Sequence, residues 1–556
     1  MKKLVECVPN FSEGRDKSVI DSIAAAITSV EGIKLLNVDM GYDTNRTVVT
    51  FAGDAVVIVE AAFQGIKKAA ELIDMSKQKG EHPRMGATDV FPFIPLSGIT
   101  EEECMVLAEE LGRRAGNELG IPVYFYAKSA KQKGRVRLPD IRAGEYEALE
   151  EKLKSGDFNP DYGPSVFNAQ TGVTAVGVRG FLLAYNINLS TRDRKIASDI
   201  ALTVREKGRA KRDNKGSIIR NVDGKAVKVP GRLSNCQAGG WYIDEYGYAQ
   251  VTMNLINFHE TGLHKAFDIV SEEAAKRGVR VTGSEAIGLL PREALLDAGK
   301  YYLEKMGKNT GIPEKEIIHN AVLSLGLNDT SSFIPSERVV EYAIHGEAKG
   351  LTSLTITDFI DELSSDSMAP GGGSVSALSG ALSSGLTSMV ANLTFGKKGY
   401  SHSNKKMKDI SIKAQEIKAQ LLGLVEADTD AFNSYIDALR LPKKSENEII
   451  ARAEAIESSS KTITLVPLNT LKLCREIIDL AETVLKRGNK NALSDAFVGV
   501  SQANTAGEGA YLNVRINLPG VKDKDFTTKV LQEADILIEE ISKIHKRLFK
   551  YVRKNV

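Results

Sequence analysis

Apolar and polar residues along the first part of the chain follow a pattern that predicts short strands separated by amphipathic helices. Strands are predicted over residues 3–8, 34–40, 45–51 and 90–96, and helices over 18–28 and 56–73. Alternation with a two-residue period marks a half-buried strand, and a 3.6-residue period marks a helix. The resulting order, βαββαβ, predicts a ferredoxin-like subdomain in which helices cover one face of an antiparallel sheet.

A similar order follows further along the chain. The turn VPNFSEGRD is echoed by INLSTRDRK, so that Asn10 and Ser12 correspond to Asn188 and Ser190. The strand at 45–51 is echoed at 249–256, and MGATDVFPFIPL is echoed by TGSEAIGLLPREAL. We interpret residues 1–180 and 181–328 as two duplicated ferredoxin-like α/β subdomains. A chance likeness between two strand-turn-helix units is the alternative.

The pattern changes after residue 328. Residues 329–350 include the polar stretch NDTSSFIPSER, whose serines and proline are typical of a linker. Beyond residue 355 the 3.6-residue period continues through 375–393, 405–439, 446–486, 494–513 and 527–552. This predicts an all-α helical bundle over residues 351–556, and therefore a multidomain chain with two unlike architectures.

Composition narrows the class of protein. The 556 residues include 73 Lys and Arg against 72 Asp and Glu, a net charge of +1. This balance argues against a nucleic-acid-binding or membrane-binding protein, although a local basic groove remains compatible with it. The four scattered cysteines predict neither disulfides nor a metal site. With no signal peptide and no stretch of about 18 apolar residues, we expect a cytoplasmic protein.

His82 is the first candidate for chemistry. It lies in the loop GEHPRMG, where a proline and two glycines favour a tight, non-helical path. Histidine is the side chain whose ordinary pKa suits proton transfer near neutrality. The alternative is an ordinary surface histidine in a turn.

Asp39 and Asn45 are a second candidate pair. In KLLNVDM the apolar residues share one strand face, which leaves Asp39 on the other. A tight turn at 41–43 would place Asn45 nearly opposite Asp39. The pair could orient a substrate, or it could simply face solvent.

Three further features concern loops and the bundle. The small-residue loop 161–177 could wrap an extended ligand. Gly371, Gly372 and Gly373 lead into a helix that begins near Ser374, where exposed N–H groups favour an anion or where another helix packs closely. Polar residues near other helix ends have the composition of caps, and they are Asn491, Ser494, Asp495, Asn513 and Asn517.

Asp428 is the sharpest feature of the bundle. It lies seven residues after Leu421, three after Val425 and four before Phe432, on the apolar stripe of its helix. A lone buried carboxylate is costly, so we expect a partner, a raised pKa, or both. The carboxyl group could exchange protons near neutrality, or it could make a structural hydrogen bond.

Together these segments resemble the formimidoyltransferase-cyclodeaminase family of bifunctional folate enzymes in histidine degradation. The likeness spans nearly the whole chain, through VECVPNFSEGRD, DMGYDTNRTVVTFAG, GEHPRMGATDVFPFIPL, YGPSVFNAQTG, GWYIDEYGYAQVTMNL, APGGGSVSA, LVEADTDAF and NVRINLPG. It implies formimidoyl transfer from N-formimidoyl-L-glutamate to tetrahydrofolate. It also implies closure of 5-formimidoyltetrahydrofolate to 5,10-methenyltetrahydrofolate with release of ammonia.

The resemblance also implies roles for residues. His82 would be the transferase catalytic histidine and Asp428 the cyclodeaminase acid/base. Tetrahydrofolate would be a co-substrate, polyglutamylated, with no metal, and the protein would be a homo-oligomer, a ring of dimers that pair through their helical halves. The implied folate-binding loop consists of Gly163, Pro164, Ser165, Val166, Phe167, Asn168, Ala169, Gln170, Thr171 and Gly172.

Some residues depart from the family's pattern or are less firmly placed. Glu81 precedes His82 where a small residue is more usual, which would raise the imidazole pKa, and residues 211–235 resemble an extra hairpin. Arg46, Lys131 and Arg135 are candidates to guide the folate tail. Rival functions are formyl transfer with methenyltetrahydrofolate cyclohydrolase activity, or a non-catalytic folate-binding scaffold.

Overall fold

The computed structural model describes residues 3–345, 350–365 and 369–555, and the chain divides into two structural units. The first unit comprises residues 1–302 and 318–346, and the second comprises residues 303–317 and 347–556. The first is mixed α/β and the second is helical, as the hydrophobic pattern predicted.

The first unit begins with a seven-stranded sheet covered by helices. Its elements are β1 (Leu4–Cys7), β2 (Asn10–Phe11), α1 (Lys17–Thr28), β3 (Lys34–Gly41), β4 (Arg46–Asp54), α2 (Ala55–Leu72), β5 (Thr88–Ser97), α3 (Glu101–Leu119), β6 (Val123–Ala127), α4 (Leu138–Ile141), α5 (Leu149–Lys154) and β7 (Thr174–Val178). Strands β1 and β2 both lie between β4 and β5, and β3 pairs with the far side of β4. These pairs are antiparallel, whereas β7 adds to β5, and β6 to β7, in parallel.

The rest of the first unit contains a four-stranded antiparallel sheet. Its elements are β8 (Leu183–Leu189), α6 (Arg194–Val204), β9 (Arg209–Ala210), β10 (Lys228–Val229), β11 (Cys236–Ile243), β12 (Tyr248–Leu255), α7 (Leu263–Ala275), β13 (Val281–Ile287), α8 (Arg292–Lys305), α9 (Glu314–Leu325), α10 (Pro335–Arg338) and α11 (Val340–His345). The strand order is β11-β12-β8-β13, and β9 and β10 form a separate pair. Helices α10 and α11 lie in the segment predicted as a linker, where Val339 and Val340 are buried.

The helical unit contains α12 (Ile356–Leu363), α13 (Gly372–Thr394), α14 (Asn404–Arg440), α15 (Glu446–Arg487), α16 (Leu493–Asn517) and α17 (Lys524–Asn555). Its apolar core is formed by α13 to α17, with Leu421, Cys474 and Val500 fully buried. Residues 303–317 also belong to this unit, because Asn309 Nδ2 donates to Asn392 Oδ1 at 2.6 Å and to Ser411 Oγ at 2.9 Å.

Local sequence explains where several of these helices begin. Asp16 and Asp54 accept backbone N–H groups at the N-termini of α1 and α2, and Ser445 with Glu448 forms a capping box for α15. Each cap satisfies a donor that the first helical turn leaves unpaired.

Helix α15 contains a proline in its interior. Pro467 has no N–H group to donate to the carbonyl of Ile463, four residues earlier. That carbonyl instead accepts a hydrogen bond of 2.7 Å from Nδ2 of Asn517, at the end of α16. A side chain from a neighbouring helix therefore replaces the missing backbone bond.

Candidate active sites

His82 lies in the loop that connects α2 to β5, as the sequence predicted. The half-buried ring has Nδ1 2.7 Å from the carbonyl oxygen of Pro83. Because a carbonyl can only accept, this partner assigns the proton of the neutral imidazole to Nδ1. The lone pair then resides on Nε2, which is the nitrogen able to take a proton from a substrate.

Beside His82, two arginines share one buried carboxylate. We call Arg46 and Arg142 the arginine pair, and Asp89 is the carboxylate between them. Arg46 Nη1 lies 2.7 Å from Asp89 Oδ2, and Arg142 Nη2 donates to the same oxygen. Asp89 is fully buried and also accepts the N–H of Met85 at 2.9 Å. Two guanidinium groups on one carboxylate leave one net positive charge, and the buried Nε of Arg142 has no hydrogen-bond partner among the described residues.

Burial of the ring, together with the charges of the arginine pair, sets the protonation of His82. Burial of the ring and the charges of Arg46 and Arg142 lower the pKa of His82 to about 3. Burial opposes ionisation of Asp89, but the two arginines outweigh it and hold the pKa of Asp89 at about 2. His82 is therefore neutral near pH 7. The prediction that Glu81 raises the imidazole pKa is wrong, because the stronger influences lower it.

The loop 163–172 is joined to the His82 loop by backbone hydrogen bonds. The N–H of Ala87 donates to Thr171 at 2.8 Å, and the N–H of Val173 donates to Met85 at 2.9 Å. The two strands approach so closely that a Cβ at Gly86 would lie 2.0 Å from the Val173 oxygen. Two segments that the sequence singled out separately thus form one structure.

The remainder of this loop is held by its own side chains and by its neighbours. Asn168 Oδ1 accepts the N–H groups of Gln170 and Thr171, and Gln170 Nε2 donates to the Ala70 carbonyl at 3.0 Å. Val166, near the middle of the loop, is 66% exposed. The loop is therefore anchored at its end and open to solvent at its centre, as a surface that receives a ligand must be.

Asp39 and Asn45 do not face each other. Asp39 pairs with Val48 across the sheet because the strands pair as far as Gly41, the first residue of the predicted turn, which lies opposite Arg46. Asp39 Oδ2 accepts the N–H of Gly288 at 3.0 Å, so this carboxylate joins the two sheets of the α/β unit. The prediction that Asn45 lies opposite Asp39 is wrong.

Asn45 instead ties three loops together. It adopts a left-handed backbone conformation with φ of 45°, accepts the N–H of Gly14 at 3.0 Å, and donates to the Lys79 carbonyl at 3.1 Å. Lys79 lies three residues before His82. Asn45 therefore holds the base of the His82 loop.

The three basic residues suggested as guides for the folate tail have different surroundings. Arg46 belongs to the arginine pair beside His82. Lys131 is paired with Glu109 at 2.8 Å, and Arg135 lies 3.3 Å from Asp161 and is almost fully buried. Only Arg46 is in the same site as His82.

In the helical unit, Asp428 of α14 lies against the first turn of α13. Its Oδ2 is 3.1 Å from Ser374 Oγ, which also lies 3.0 Å from the Val425 carbonyl oxygen. A Cβ at Gly373 would lie 2.1 Å from Asp428 Oδ1, so only glycine lets the carboxyl group approach this helix end. The glycines and the carboxylate that the sequence singled out are in contact.

Burial raises the pKa of Asp428 above its ordinary value, against the hydrogen bonds from Ser374, which lower it. The side chain is half-buried rather than fully enclosed. The predicted direction of the pKa shift is confirmed. A carboxyl group of this kind exchanges protons closer to neutrality than a solvent-exposed one.

The neighbouring polar residues have other roles. Glu426 accepts the N–H groups of Leu351 and Thr352, which separates it from Asp428. Asn513 Nδ2 donates to Gly509 within its own helix and lies 3.5 Å from the position of a Cβ at Gly372. Asn491, Ser494 and Asp495 lie at the start of α16, and Asn517 serves the proline of α15.

Sequence reasoning missed Asp89 and Arg142. Asp89 interrupts an otherwise apolar strand in ATDVFPF, which is the same signal that pointed to Asp428. Arg142 follows the short helix α4, and no periodicity indicates that its side chain reaches Asp89. Across residues 3–345, 350–365 and 369–555, no three His, Cys, Asp or Glu side chains are grouped to hold a metal ion. No helix in these ranges is both long and apolar enough to cross a membrane.

Comparison with known proteins covers both units. A family model of the N-terminal subdomain of the formiminotransferase domain matches residues 4–179, and a second model of the formiminotransferase domain matches residues 184–345. A formiminotransferase-cyclodeaminase model matches residues 355–536. The formimidoyltransferase-cyclodeaminase of Sus scrofa is 42% identical over 97% of each chain. The glutamate formimidoyltransferase of Thermoplasma acidophilum is 43% identical over 55% of this chain and 95% of its own. The methenyltetrahydrofolate cyclohydrolase of Methylorubrum extorquens is 40% identical over 36% of this chain and 97% of its own. The chain therefore belongs to the formimidoyltransferase-cyclodeaminase family.

Proposed function

We propose that this protein transfers a formimidoyl group from N-formimidoyl-L-glutamate to tetrahydrofolate and then cyclises the product to 5,10-methenyltetrahydrofolate, releasing ammonia, in histidine degradation. The observation that carries the proposal is the neutral His82 beside a cationic arginine pair, in a chain 42% identical to a formimidoyltransferase-cyclodeaminase over nearly its full length. Both units take part, each with its own titratable group.

In the transfer step His82 moves one proton. The folate N5 attacks the amidine carbon, Nε2 of His82 takes the N5 proton, and the same nitrogen returns a proton to the departing amine of glutamate. A base must be unprotonated to begin this cycle, and the low pKa of His82 ensures that. The net positive charge of Arg46 and Arg142 attracts a carboxylate of the donor substrate.

In the cyclisation step Asp428 supplies a proton to the formimidoyl nitrogen. The formimidoyl group reacts as the protonated amidinium, so its terminal nitrogen already carries two hydrogens. The folate N10 attacks the amidine carbon, the proton from Asp428 becomes the third on that nitrogen, and the carbon–nitrogen bond breaks, so that ammonia departs and the methenyl cation remains. The proton of N10 returns to the carboxylate of Asp428, which completes the cycle. The raised pKa of Asp428 keeps a larger fraction of it protonated for the first transfer.

One assay tests the function and separates it from its rivals. The protein is given N-formimidoyl-L-glutamate and tetrahydrofolate while glutamate, ammonia and methenyl-folate absorbance are followed together. Release of glutamate and ammonia together with formation of methenyltetrahydrofolate supports the proposal. Turnover of N-formyl-L-glutamate in place of the formimidoyl donor would identify a formyltransferase, and folate binding without turnover would identify a scaffold.

A second activity of the helical unit has support from one relative. The Methylorubrum extorquens protein that is 40% identical over 202 residues is a methenyltetrahydrofolate cyclohydrolase. Hydrolysis of supplied methenyltetrahydrofolate faster than ammonia release from 5-formimidoyltetrahydrofolate would favour this activity for the helical unit.

The arginine pair gives a prediction for pH dependence. In Arg142→Gln one of the charges that lower the pKa of His82 is lost, so the pKa of His82 should rise and the decline of transferase kcat on the acid side should move to higher pH. The KM for formimidoylglutamate should rise by about tenfold or more, the scale of a charge-assisted hydrogen bond. Kinetics from pH 4 to 8 measure both effects.

Arg142→Lys is the matched control for this variant. It keeps the charge but loses the planar fork, so its pH profile should stay near that of the wild type while its KM rises. An unchanged pH profile and KM in a folded Arg142→Gln protein would contradict a role for Arg142 in the site.

We infer that residues 1–180 and 181–328 are duplicated ferredoxin-like subdomains, joined by residues 329–350 to a cyclodeaminase domain at 351–556. In support, the strand orders β3-β4-β1-β5 and β11-β12-β8-β13 correspond. Each of the two corresponding serines contacts the backbone just before the last strand of its sheet. Ser12 Oγ donates to the Gly86 carbonyl, and Ser190 Oγ accepts the N–H of Arg280.

We further propose a homo-oligomer, a ring of dimers in the cytoplasm, acting on polyglutamylated tetrahydrofolate. Association through the helical unit is supported by a stripe of exposed apolar residues on α13, formed by Leu382, Met389 and Leu393. All four cysteines are buried free thiols, as a reducing compartment favours.

A further inference from the structure

Residues 207–228, which we call the basic arm, form a protruding segment between α6 and β11. They contain eight basic residues and only two acidic ones, in a chain whose total charge is +1. The arm is closed at its base by the β9–β10 pair, in which Lys228 lies opposite Ala210. The basic arm therefore carries a net charge of +6, although the chain as a whole is nearly neutral.

The basic arm has a fixed shape based on a repeat of eight residues. Lys211 N–H donates to Val227, Ile219 N–H to Lys211, and Val227 N–H to Ile219, each at 2.8–2.9 Å, which closes a ring. At the next position of each repeat, Arg212 Nη1 donates to the Gly216 carbonyl and Arg220 Nη1 to the Gly224 carbonyl. The side chains are thus carried on an ordered frame.

Most charges of the basic arm are uncompensated. Its acidic residues are used within the turns: Asp213 accepts the N–H groups of Lys215 and Ser217, and Asp223 contacts Asn221. Arg209 is paired with Asp199. No ion pair involves the arm's lysines in the described part of the chain, and all five are exposed, namely Lys207, Lys211, Lys215, Lys225 and Lys228.

The arm leaves the second sheet at a defined end. The N–H of Glu206, just before the arm, donates to the carbonyl of Cys236 at the start of β11. At this end of the sheet the four strands β11, β12, β8 and β13 form a row with one residue each. These residues are Cys236, Leu255, Leu183 and Ile287, in that order. With strands about 4.8 Å apart, this row spans about 15 Å.

One end of that row contacts the first sheet. Gly288 follows Ile287 and donates to Asp39 of the first sheet. From Asp39, strand β3 leads to the turn containing Asn45, which holds the loop that carries His82. The base of the basic arm therefore lies at the same end of the second sheet as Gly288, which contacts the first sheet, and about 15 Å along the row from it.

We propose that the basic arm binds the oligo-γ-glutamate tail of the folate co-substrate. This rests on the proposed function, which makes a folate the ligand of the site. Such a tail presents one carboxylate per glutamate, and a row of exposed cations on a rigid frame matches it in charge. The arm has no aromatic side chain on which a base would stack, so its chemistry favours a polycarboxylate over a nucleic acid.

The test compares the protein with Lys215→Gln/Lys225→Gln/Lys228→Gln, three exposed lysines outside the ring of backbone bonds. The control, Lys265→Gln/Lys300→Gln/Lys308→Gln, removes the same charge elsewhere. KM and kcat are measured for tetrahydrofolate with one glutamate and with several. We expect the arm variant to raise KM for the long-tailed substrate by about tenfold, with kcat and the one-glutamate KM unchanged. The wild-type KM for the long tail should rise with salt.

The proposal would be overturned if the ratio of the long-tail KM to the one-glutamate KM were the same in the wild type and in the arm variant. This outcome would leave the proposed function intact as long as the one-glutamate substrate is turned over. Failure of the wild type on both substrates would overturn the proposed function as well. A single-stranded oligonucleotide that binds the wild type and not the arm variant, with the KM ratio unchanged, would assign the arm to nucleic acid instead.

Discussion

Replacing His82 with alanine is expected to lower the formimidoyl transfer rate by about a hundredfold or more, the usual scale for loss of a general acid/base. The imidazole is neutral, its Nδ1 is bound to the Pro83 carbonyl, and its Nε2 is left to exchange protons with substrate. The measurement is glutamate release from N-formimidoyl-L-glutamate and tetrahydrofolate at saturating concentrations.

Two controls accompany this variant. His259→Ala removes an exposed histidine of the same unit and should leave the rate unchanged. Cyclisation of supplied 5-formimidoyltetrahydrofolate should survive in His82→Ala, because Asp428 belongs to the other unit. Equal loss of both activities in a folded His82→Ala protein would refute two separate sites.

Asp428→Asn should reduce cyclodeaminase turnover by about a hundredfold or more while transfer is nearly unchanged. Asparagine keeps the shape beside Gly373 and can still accept from Ser374, but it cannot carry the proton. The assay follows methenyl-folate formation from supplied 5-formimidoyltetrahydrofolate. Asp430→Asn, at an exposed position on the same helix, is the matched control.

The same substitution should change stability little or raise it. Because burial raises the pKa of Asp428 in the folded state, its contribution to stability is greatest at low pH and is lost as pH rises through that pKa. Any gain in the melting temperature of Asp428→Asn should therefore be larger at pH 7 than near pH 4.

Near-normal cyclodeaminase turnover in Asp428→Asn would show that Asp428 has a structural role. Asp495 would then be the next candidate for the acid/base.

The sequence was most informative where a pattern repeats over many residues. The five long helices of the bundle follow from an apolar stripe of 3.6-residue period, and each observed helix overlaps the predicted segment. Asp428 was found because it breaks such a stripe. His82 was found because a proline and glycines single out its loop, although assignment of its role came from the family resemblance.

What the sequence did not provide depends on contacts between distant residues. The pairing of Asp39 with Val48 depends on where the hairpin turn closes, with Gly41 opposite Arg46. Arg46, Asp89 and Arg142 meet only because β4, β5 and the chain after α4 fold together. Residues 303–317 carry no signal that they belong with the helices, since that placement rests on the side-chain contacts of Asn309.

The proline in α15 constrains the order in which this family member can change. Losing Pro467 first would restore a backbone donor to Ile463 and make Asn517 dispensable. Losing Asn517 first would leave a part-buried carbonyl without its partner, at a cost of about 1–3 kcal/mol. Sequence change at this pair of positions therefore has a preferred order, in which Pro467 is replaced before Asn517.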